Sequence, residues 1–158
     1  MDKNYWVMRL GEAGKFADIC KKESIVALGW PELDVDLSTY AHLDQPEFIQ
    51  KLIDGLRGAI KEKGDRTLAV WARQLYTFAV LMKPGDVVLS PANHDSVRYI
   101  GIVRGGYRYD PGQEELPYRH RRDVDWVASV HKEDLSQQLR NSSGSIMTLF
   151  SVGGYAEE

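Results

Sequence analysis

Arginine and aromatic residues are concentrated between residues 98 and 122. This segment holds six arginines and three acids, a local balance of +3, in a chain whose net charge is −3. Within it, Tyr107 and Tyr109 flank Arg108. Aromatic rings interleaved with arginine are the usual platform for stacked or extruded bases. We therefore predict nucleic-acid binding without a blanket of positive charge, although a salt-bridged strand face explains the arginines equally well.

The local positive charge also predicts which side chains meet the phosphates. Arginine suits this role because its planar guanidinium fork matches the oxygens of a phosphate group. A contact of this kind carries no sequence information, so its removal lowers affinity for all sequences alike. The residues predicted to contact phosphate are Arg104, Arg108 and Arg121.

Residue patterns that would indicate catalysis or metal binding are not found in the sequence. Cys20 is the only cysteine, and the histidines are far apart along the chain, at His42, His94, His120 and His131. Nucleophile elbows, Walker loops and dinucleotide fingerprints are absent. A carboxylate nuclease needs acids at a strand end followed by Glu-x-Lys, and the residues after Asp86, VVLSP, supply neither. We predict a binding protein that is not an enzyme and uses no metal or cofactor.

Composition indicates one domain over residues 1–158. Hydrophobic residues make up 43% of the chain and charged residues 27%, as in ordinary globular proteins. The sequence has no apolar run of about 18 residues and no signal-peptide core, so we expect a cytoplasmic protein that does not interact with membranes. A single cysteine fits a reducing compartment, and Cys20 is expected to be a small buried residue.

Apolar residues concentrate or alternate in segments typical of strands. The predicted strands are 5–10, 24–30, 87–91, 97–103, the segment from residue 120 to about 130, and 145–152, which could close a barrel. The second of these strands ends at Trp30, just before Pro31. We therefore expect the Trp30 ring to lie at the rim of a sheet. In the strands from 97 and 120, one face is expected to be core and the other, with Arg98 and Arg121, to face water.

Helical spacing of apolar residues separates these strands. The predicted helices are 14–22, 44 to about 64, 65–82 and a short one at 132–139, and a turn is predicted at 141–144. Asp44 is expected to cap the second helix and Gly64 to end it. The third helix is expected to expose a flank that includes Gln74 and Phe78. This order of elements predicts an α+β fold built around a small barrel.

Five motifs together resemble a known family, the EVE-like and YTH-like branch of the PUA superfamily. They are YWVMRLGEAGKF, IVALGWPELDVDLS, KPGDVVLSP, YIGIVRGGYRYDP and YRHRRDVDW, and they cover nearly the whole chain in the family's order. More narrowly, the chain is similar to N-terminal reader domains of modification-dependent restriction proteins and other prokaryotic defence proteins. Those proteins usually carry a nuclease or NTPase, so we expect such a partner domain or subunit outside this chain.

The resemblance implies a small twisted β-barrel flanked by helices, with no enzymatic activity of its own. It also implies a pocket in which an extruded, often methylated, base is held by aromatic side chains. Trp30 is the best candidate for such a side chain by position, and the amides of Gln74 and Asn93 could bond the base edge. The residues predicted to line the pocket are Trp30, Gln74, Phe78, Ser90, Asn93, Tyr107 and Tyr109.

The sequence leaves other functions open. Modified DNA is the favoured ligand, but the same barrel could bind unmodified RNA, and a buried methyl group adds only about 0.8 kcal/mol to separate the two. A small-molecule or nucleotide sensor using the same pocket, and a plain protein-interaction module, are alternatives from other classes. Salt-dependent binding to oligonucleotides would favour the nucleic-acid functions, and a nucleotide retained on purification would favour the sensor.

Overall fold

The computed structural model describes residues 4–11, 14–29, 33, 35–60, 63–92, 97–112, 114–134 and 149–151. Trp30 and Asn93 lie outside these ranges, as do most of the predicted helix at 132–139 and the whole predicted turn at 141–144. Of that helix, Lys132–Asp134 forms a 3₁₀ turn. Within the described residues, no helix is long and apolar enough to cross a membrane.

Seven strands of the described chain form one strongly curled sheet. They are β1 (Tyr5–Met8), β2 (Ile25–Leu28), β3 (Val87–Pro91), β4 (Val97–Val103), β5 (Arg108–Tyr109), β6 (His120–His131) and β7 (Leu149–Ser151). The pairing order is β2-β6-β4-β3-β1-β7, and β5 pairs with β6 beside this path. The pairs are antiparallel except for β1 with β3. The α+β architecture predicted from the sequence is confirmed, as a half-barrel in which β7 joins the edge at β1.

The long strand β6 curls the sheet because it pairs with three other strands. Its first residues pair with β2 and β5, and the remainder pairs with β4. The β4 pairing contains a bulge: Ile100 lies opposite Ala128 and Gly101 opposite Trp126, so Val127 has no counterpart. Gly101 is required there, since a Cβ would lie 2.5 Å from Val124 Cγ1. Such bulges bend the strand that carries the extra residue.

Three α-helices occur in the described chain: α1 (Ala17–Glu23), α2 (Gln45–Ala59) and α3 (Asp65–Tyr76). The predicted cap of α2 is confirmed, because Asp44 accepts a bond of 3.0 Å from the Glu47 N–H. The prediction that Gly64 ends this helix is wrong. Ile60 is already extended and terminates α2, and Gly64 instead caps the start of α3. Before α2 the chain forms a 3₁₀ turn, Leu37–Tyr40.

The core fills the space between the curled sheet and the helices. β2 is buried throughout, and Cys20 is buried beside it, as predicted. Burial raises the pKa of the Cys20 thiol to about 12, so the thiol is protonated at neutral pH. The predicted solvent face of β4 and β6 is wrong in two places: Arg98 and Arg121 are buried. The opposite face of β6 is also wrong at Ala128, which is exposed.

Candidate nucleic-acid interface

The start of β6 lies between two other strands and forms the base of the candidate site. His120 is paired with Leu28 at the end of β2 on one side and with Tyr109 of β5 on the other. His120 is fully buried. Leu28 is the last residue of β2 and precedes Trp30 by two residues in the sequence. The strand that leads to Trp30 and the strand that carries Tyr109 therefore both pair with β6 at His120.

Four aromatic side chains meet at this position, and we call them the aromatic cluster: Phe78, Tyr107, Tyr109 and His120. The ring centroids of Tyr107 and His120 are 5.8 Å apart and nearly parallel, at 28°. Tyr109 lies 5.7 Å from His120 at a tilt of 55°. Phe78 meets Tyr107 edge-on at 6.5 Å. The buried members support the two tyrosines, which are only partly buried.

The Tyr107 hydroxyl ties the aromatic cluster to the turn before α2. It accepts a bond of 3.0 Å from the Leu37 N–H and lies 2.7 Å from His120 Nδ1. The Leu37 turn is itself fixed by Asp36, which accepts from the Ser38 N–H. Burial raises the pKa of Tyr107 well above its ordinary value, so the hydroxyl keeps its proton at neutral pH. The hydroxyl of Tyr107 therefore bonds two segments, the turn at Leu37 and the start of β6 at His120.

Arg122 fixes the other border of the aromatic cluster. After α3 the chain continues as a π-helical turn, Thr77–Leu81. The Arg122 guanidinium donates to two carbonyls of this turn, Phe78 O at 2.6 Å and Ala79 O at 3.1 Å, and to Gly105 O at 2.9 Å. It also lies 5.9 Å from the centre of the Phe78 ring. One side chain thus joins the end of the helix to the turn that precedes Tyr107.

Burial lowers the pKa of Arg122 to about 10. A guanidinium in a buried position is stabilised chiefly by the acceptors around it. Here two of the three acceptors, Phe78 O and Ala79 O, are carbonyls at the end of a helix, where the partial negative charge of the peptide dipoles collects. Arg122 therefore remains charged at neutral pH and holds these segments together.

Arg121 is placed for packing and not for phosphate binding. Its side chain is buried, and its guanidinium donates to Tyr118 O and Leu116 O, each at 3.0 Å. Asp110 adds an ion pair at 3.4 Å. These bonds close the turn that leads into β6. The burial of Arg121 therefore contradicts the phosphate contact predicted for it.

The two other predicted phosphate contacts lie on the surface, and each is paired with an aspartate. Arg104 bonds Asp125 at 2.6 Å, and Arg108 bonds Asp123 at 3.2 Å. We call these four residues the arginine–aspartate row. Arg108 also approaches Asp110 at 3.6 Å. Both arginines could reach a phosphate, but only by leaving a carboxylate.

The remaining predicted pocket residues have different surroundings. Gln74 is buried, and its side-chain oxygen accepts from the Leu149 N–H at 3.0 Å, which joins α3 to β7. Ser90 is buried opposite Tyr99 in the β3–β4 pair, and its hydroxyl has no hydrogen-bond partner among the described residues. Phe78 belongs to the aromatic cluster but is fully buried, which contradicts the exposed flank predicted for it.

A second aromatic pair, Phe16 and Tyr118, lies near the end of β2 and was not among the site residues predicted from the sequence. Phe16 and Tyr118 meet edge-on with centroids 4.9 Å apart, and the Lys15 ammonium lies 5.1 Å from the centre of the Phe16 ring. Tyr118 packs against Gly29, where a Cβ would lie 3.1 Å from the ring. The glycine directly before Trp30 was the available signal, because such a position permits close approach of a ring.

His120 and Arg122 were also missed as site residues. Both lie in a run of charged residues, RHRRD, which in isolation is typical of a solvated strand face. Their burial depends on β2, β5 and the end of α3, all of which are distant in sequence. The only local signal was Tyr118, an aromatic residue at the entry to that run.

Comparisons with known proteins place this chain in a family. A family model described as "Domain of unknown function (DUF8426)" matches residues 6–153. No curated protein matches the sequence. Among solved structures, the YTH domain of the Zygosaccharomyces rouxii MRB1 protein in complex with N6-methyladenosine RNA is similar, at a TM-score of 0.42 and 12% sequence identity. The similarity covers 85% of this chain and 65% of that one, so the chain spans less than two thirds of its length.

Proposed function

Because the chain belongs to the DUF8426 family, whose function is unknown, we propose a function from the site itself: a non-catalytic nucleic-acid-binding domain that holds a modified base against the aromatic cluster. The observation that carries this proposal is the arrangement of Tyr107 and Tyr109 around a buried His120. Two partly buried rings on a rigid support form a surface on which a planar ligand can stack.

The aromatic cluster favours stacking over hydrogen-bond recognition. The Tyr107 hydroxyl is engaged by Leu37 and His120, so this residue offers its ring more readily than its polar end. A base stacked on an aromatic side chain gains about 1–3 kcal/mol. That gain offsets the cost of removing the base from a duplex, which is a few kcal/mol. A methyl group on the base adds apolar area to the same contact.

Trp30 completes the proposed pocket. It follows β2 by two residues in the sequence, and the last residue of β2, Leu28, pairs with His120. We expect its ring to lie on the base opposite the tyrosines, with the amide of Asn93 toward the base edge. Trp30→Ala should then lower affinity far more than it lowers the melting temperature. A large loss of stability instead would assign Trp30 to the core.

The polymer we propose is DNA, in a prokaryotic restriction or defence system. The support for this choice is the sequence resemblance to readers of modification-dependent restriction proteins. Arg104 and Arg108 are the proposed phosphate contacts, since the side chains of both are exposed. A nuclease or NTPase would act on the DNA that this domain marks.

A binding panel tests the proposal. Fluorescence anisotropy with matched duplexes and single strands, of DNA and of RNA, with and without base methylation, should show the tightest binding to a methylated strand. Tyr109→Ala should weaken this binding by about tenfold or more, as expected for loss of one stacked ring. Tyr5→Ala, at a partly buried tyrosine of β1, is the matched control. A variant Tyr109→Ala that binds as well as the wild type would contradict the proposal.

Base extrusion is measured separately with 2-aminopurine. Placed at the modified position, this fluorescent base becomes brighter when it loses stacking with its neighbours. An emission change that disappears in the variants of Trp30 and Tyr109 supports a pocket, whereas binding with unchanged emission indicates recognition by the outer surface. RNA binding that ignores methylation would favour an RNA-binding function instead.

A further inference from the structure

Helix α3 and the turns after it carry positive charge that no acid of their own neutralises. Residues 66–85 include Arg66, Arg73 and Lys83 and contain no aspartate or glutamate. All three of these residues are exposed. The acid directly before them, Asp65, is paired with an arginine of α2 at 2.8 Å. This part of the surface is therefore positive in a chain whose net charge is −3.

The arginines of α3 differ from those between residues 98 and 122. There, Arg121 and Arg122 are buried, and both arginines of the arginine–aspartate row bond an aspartate. The ion pairs of the described residues include neither Arg66 nor Arg73. An arginine of this kind can bind an anion without first losing a carboxylate partner.

The spacing of Arg66 and Arg73 suits a repeating anion. The two residues are seven positions apart on α3, which is about two helical turns, so they lie on one face about 10 Å apart along the axis. The phosphates of one DNA strand follow each other at about 3.4 Å along its axis. The separation of the two arginines therefore corresponds to about three nucleotides. We call Arg66 and Arg73 the basic face of α3.

Exposed apolar residues on the same segment do not form the centre of a protein interface. Val70 is 38% exposed and Leu81 is 41% exposed. They are about three helical turns apart, so they do not make one continuous apolar patch. Protein interfaces usually have an apolar centre that is depleted of charge. The basic face of α3 therefore fits a charged polymer better than another protein.

We propose that the basic face of α3 binds the phosphate backbone of a nucleic acid, whichever base the ligand carries. This inference rests on the proposed function for its ligand class alone, and it requires no contact between this face and the aromatic cluster. Contacts to phosphate add affinity and orientation but carry no sequence information. The basic face therefore contributes equally to binding of methylated and unmethylated strands.

The experiment compares Arg66→Gln/Arg73→Gln with the wild type on methylated and unmethylated DNA duplexes over a range of salt concentrations. Affinity for both duplexes should fall by about tenfold at low salt, and their ratio should stay unchanged. The slope of log affinity against log salt should decrease by about 1.8, since each phosphate contact is worth about 0.9 on B-DNA. Arg66→Lys/Arg73→Lys retains the charges and should retain the slope. Because both residues are exposed, the melting temperature should not change.

The matched control removes two exposed cations from other helices. Lys22 lies on α1 and Lys51 on α2, and each follows an acid by four residues, Asp18 and Glu47 respectively. Opposite charges at this spacing are neighbours on a helix surface. Lys22→Gln/Lys51→Gln changes the net charge as much as the arginine variant does, and it should leave the salt slope unchanged.

The outcomes separate this inference from the proposed function. An unchanged slope in Arg66→Gln/Arg73→Gln overturns the inference and leaves this face to an acidic protein partner, while a methyl preference that is lost in Tyr109→Ala would still support the reader function. Equal losses in the lysine control overturn the inference as well, because net charge would then suffice. A wild type without methyl preference whose slope falls in the arginine variant supports the basic face and contradicts base reading. A wild type that binds no duplex and no single strand contradicts both.

Discussion

The two halves of β6 differ in a way that reverses the usual relation between polarity and burial. In the first half His120, Arg121 and Arg122 are buried. In the second half Val127 is 53% exposed and Ala128 is exposed too. The first half lies between two strands and beneath the end of a helix, whereas the second half pairs only with β4 among the described strands. Burial in β6 therefore follows its neighbours and not its residue types.

The difference shows what a buried arginine requires. Arg121 and Arg122 each receive backbone carbonyls from a turn or a helix end, so their charges are solvated by the protein. Such acceptors replace the water that burial removes. The cost of desolvation is offset locally, and each arginine links the segments that supply these carbonyls.

The largest effect should come from removing the link made by Arg122. Arg122→Met retains most of the buried apolar stem but leaves the carbonyls of Phe78, Ala79 and Gly105 without their donor. We expect a loss of about 3 kcal/mol in the free energy of unfolding, since unsatisfied buried acceptors cost about 1–3 kcal/mol each and partial relaxation recovers some of this. Urea unfolding measures it. A loss below about 1 kcal/mol would show that β6 does not depend on buried charge.

Tyr107→Phe should have an intermediate effect on the same half of the strand. The ring remains, but the Leu37 N–H and His120 Nδ1 lose a shared partner. We expect about 1.5 kcal/mol of destabilisation in thermal or urea unfolding. Tyr109→Phe is the comparison, because the bond from Arg119 to the Tyr109 hydroxyl is longer, at 3.4 Å. Equal losses in the two variants would count against a special role for the Tyr107 hydroxyl.

The smallest effect is expected at the bulge in the second half. Val127→Thr places a hydroxyl at an exposed position and should change stability by no more than about 0.5 kcal/mol. Val124→Thr makes the same change at a buried residue three positions earlier and should cost about 2 kcal/mol. Differential scanning calorimetry of the two variants gives the contrast. Similar losses at both positions would remove the distinction between the halves.

Features set by neighbouring residues were predictable from the sequence. The cap at Asp44, the strand at residues 97–103 and the burial of Cys20 all depend on local pattern, and the structure confirms them. Gly64 shows the limit of that approach, because glycine is as compatible with the start of one helix as with the end of another. The choice depended on Ile60, whose extended backbone ends α2 earlier.

The candidate site could be predicted only in part. Tyr107 and Tyr109 were identified because alternation with arginine is visible in the sequence, and the structure brings them together with Phe78 around His120. The buried arginines could not be identified, because the carbonyls that solvate them come from distant segments. Phe78 was assigned to an exposed flank because the sequence did not show that it lies in the π-helical turn after α3, where Tyr107 and Arg122 pack against its ring.

The position of β1 inside the sheet has a consequence for synthesis. β1 lies between β3 and β7, and the indole N–H of Trp6 donates to Asp86, 80 residues later. A ribosome adds about 5–20 residues per second, so the first strand waits several seconds for β3 and longer for β7. During that interval its apolar side chains have no sheet to join, and contacts between such distant segments form slowly. The nascent chain should therefore be most prone to aggregation, and most dependent on chaperones, before β7 emerges.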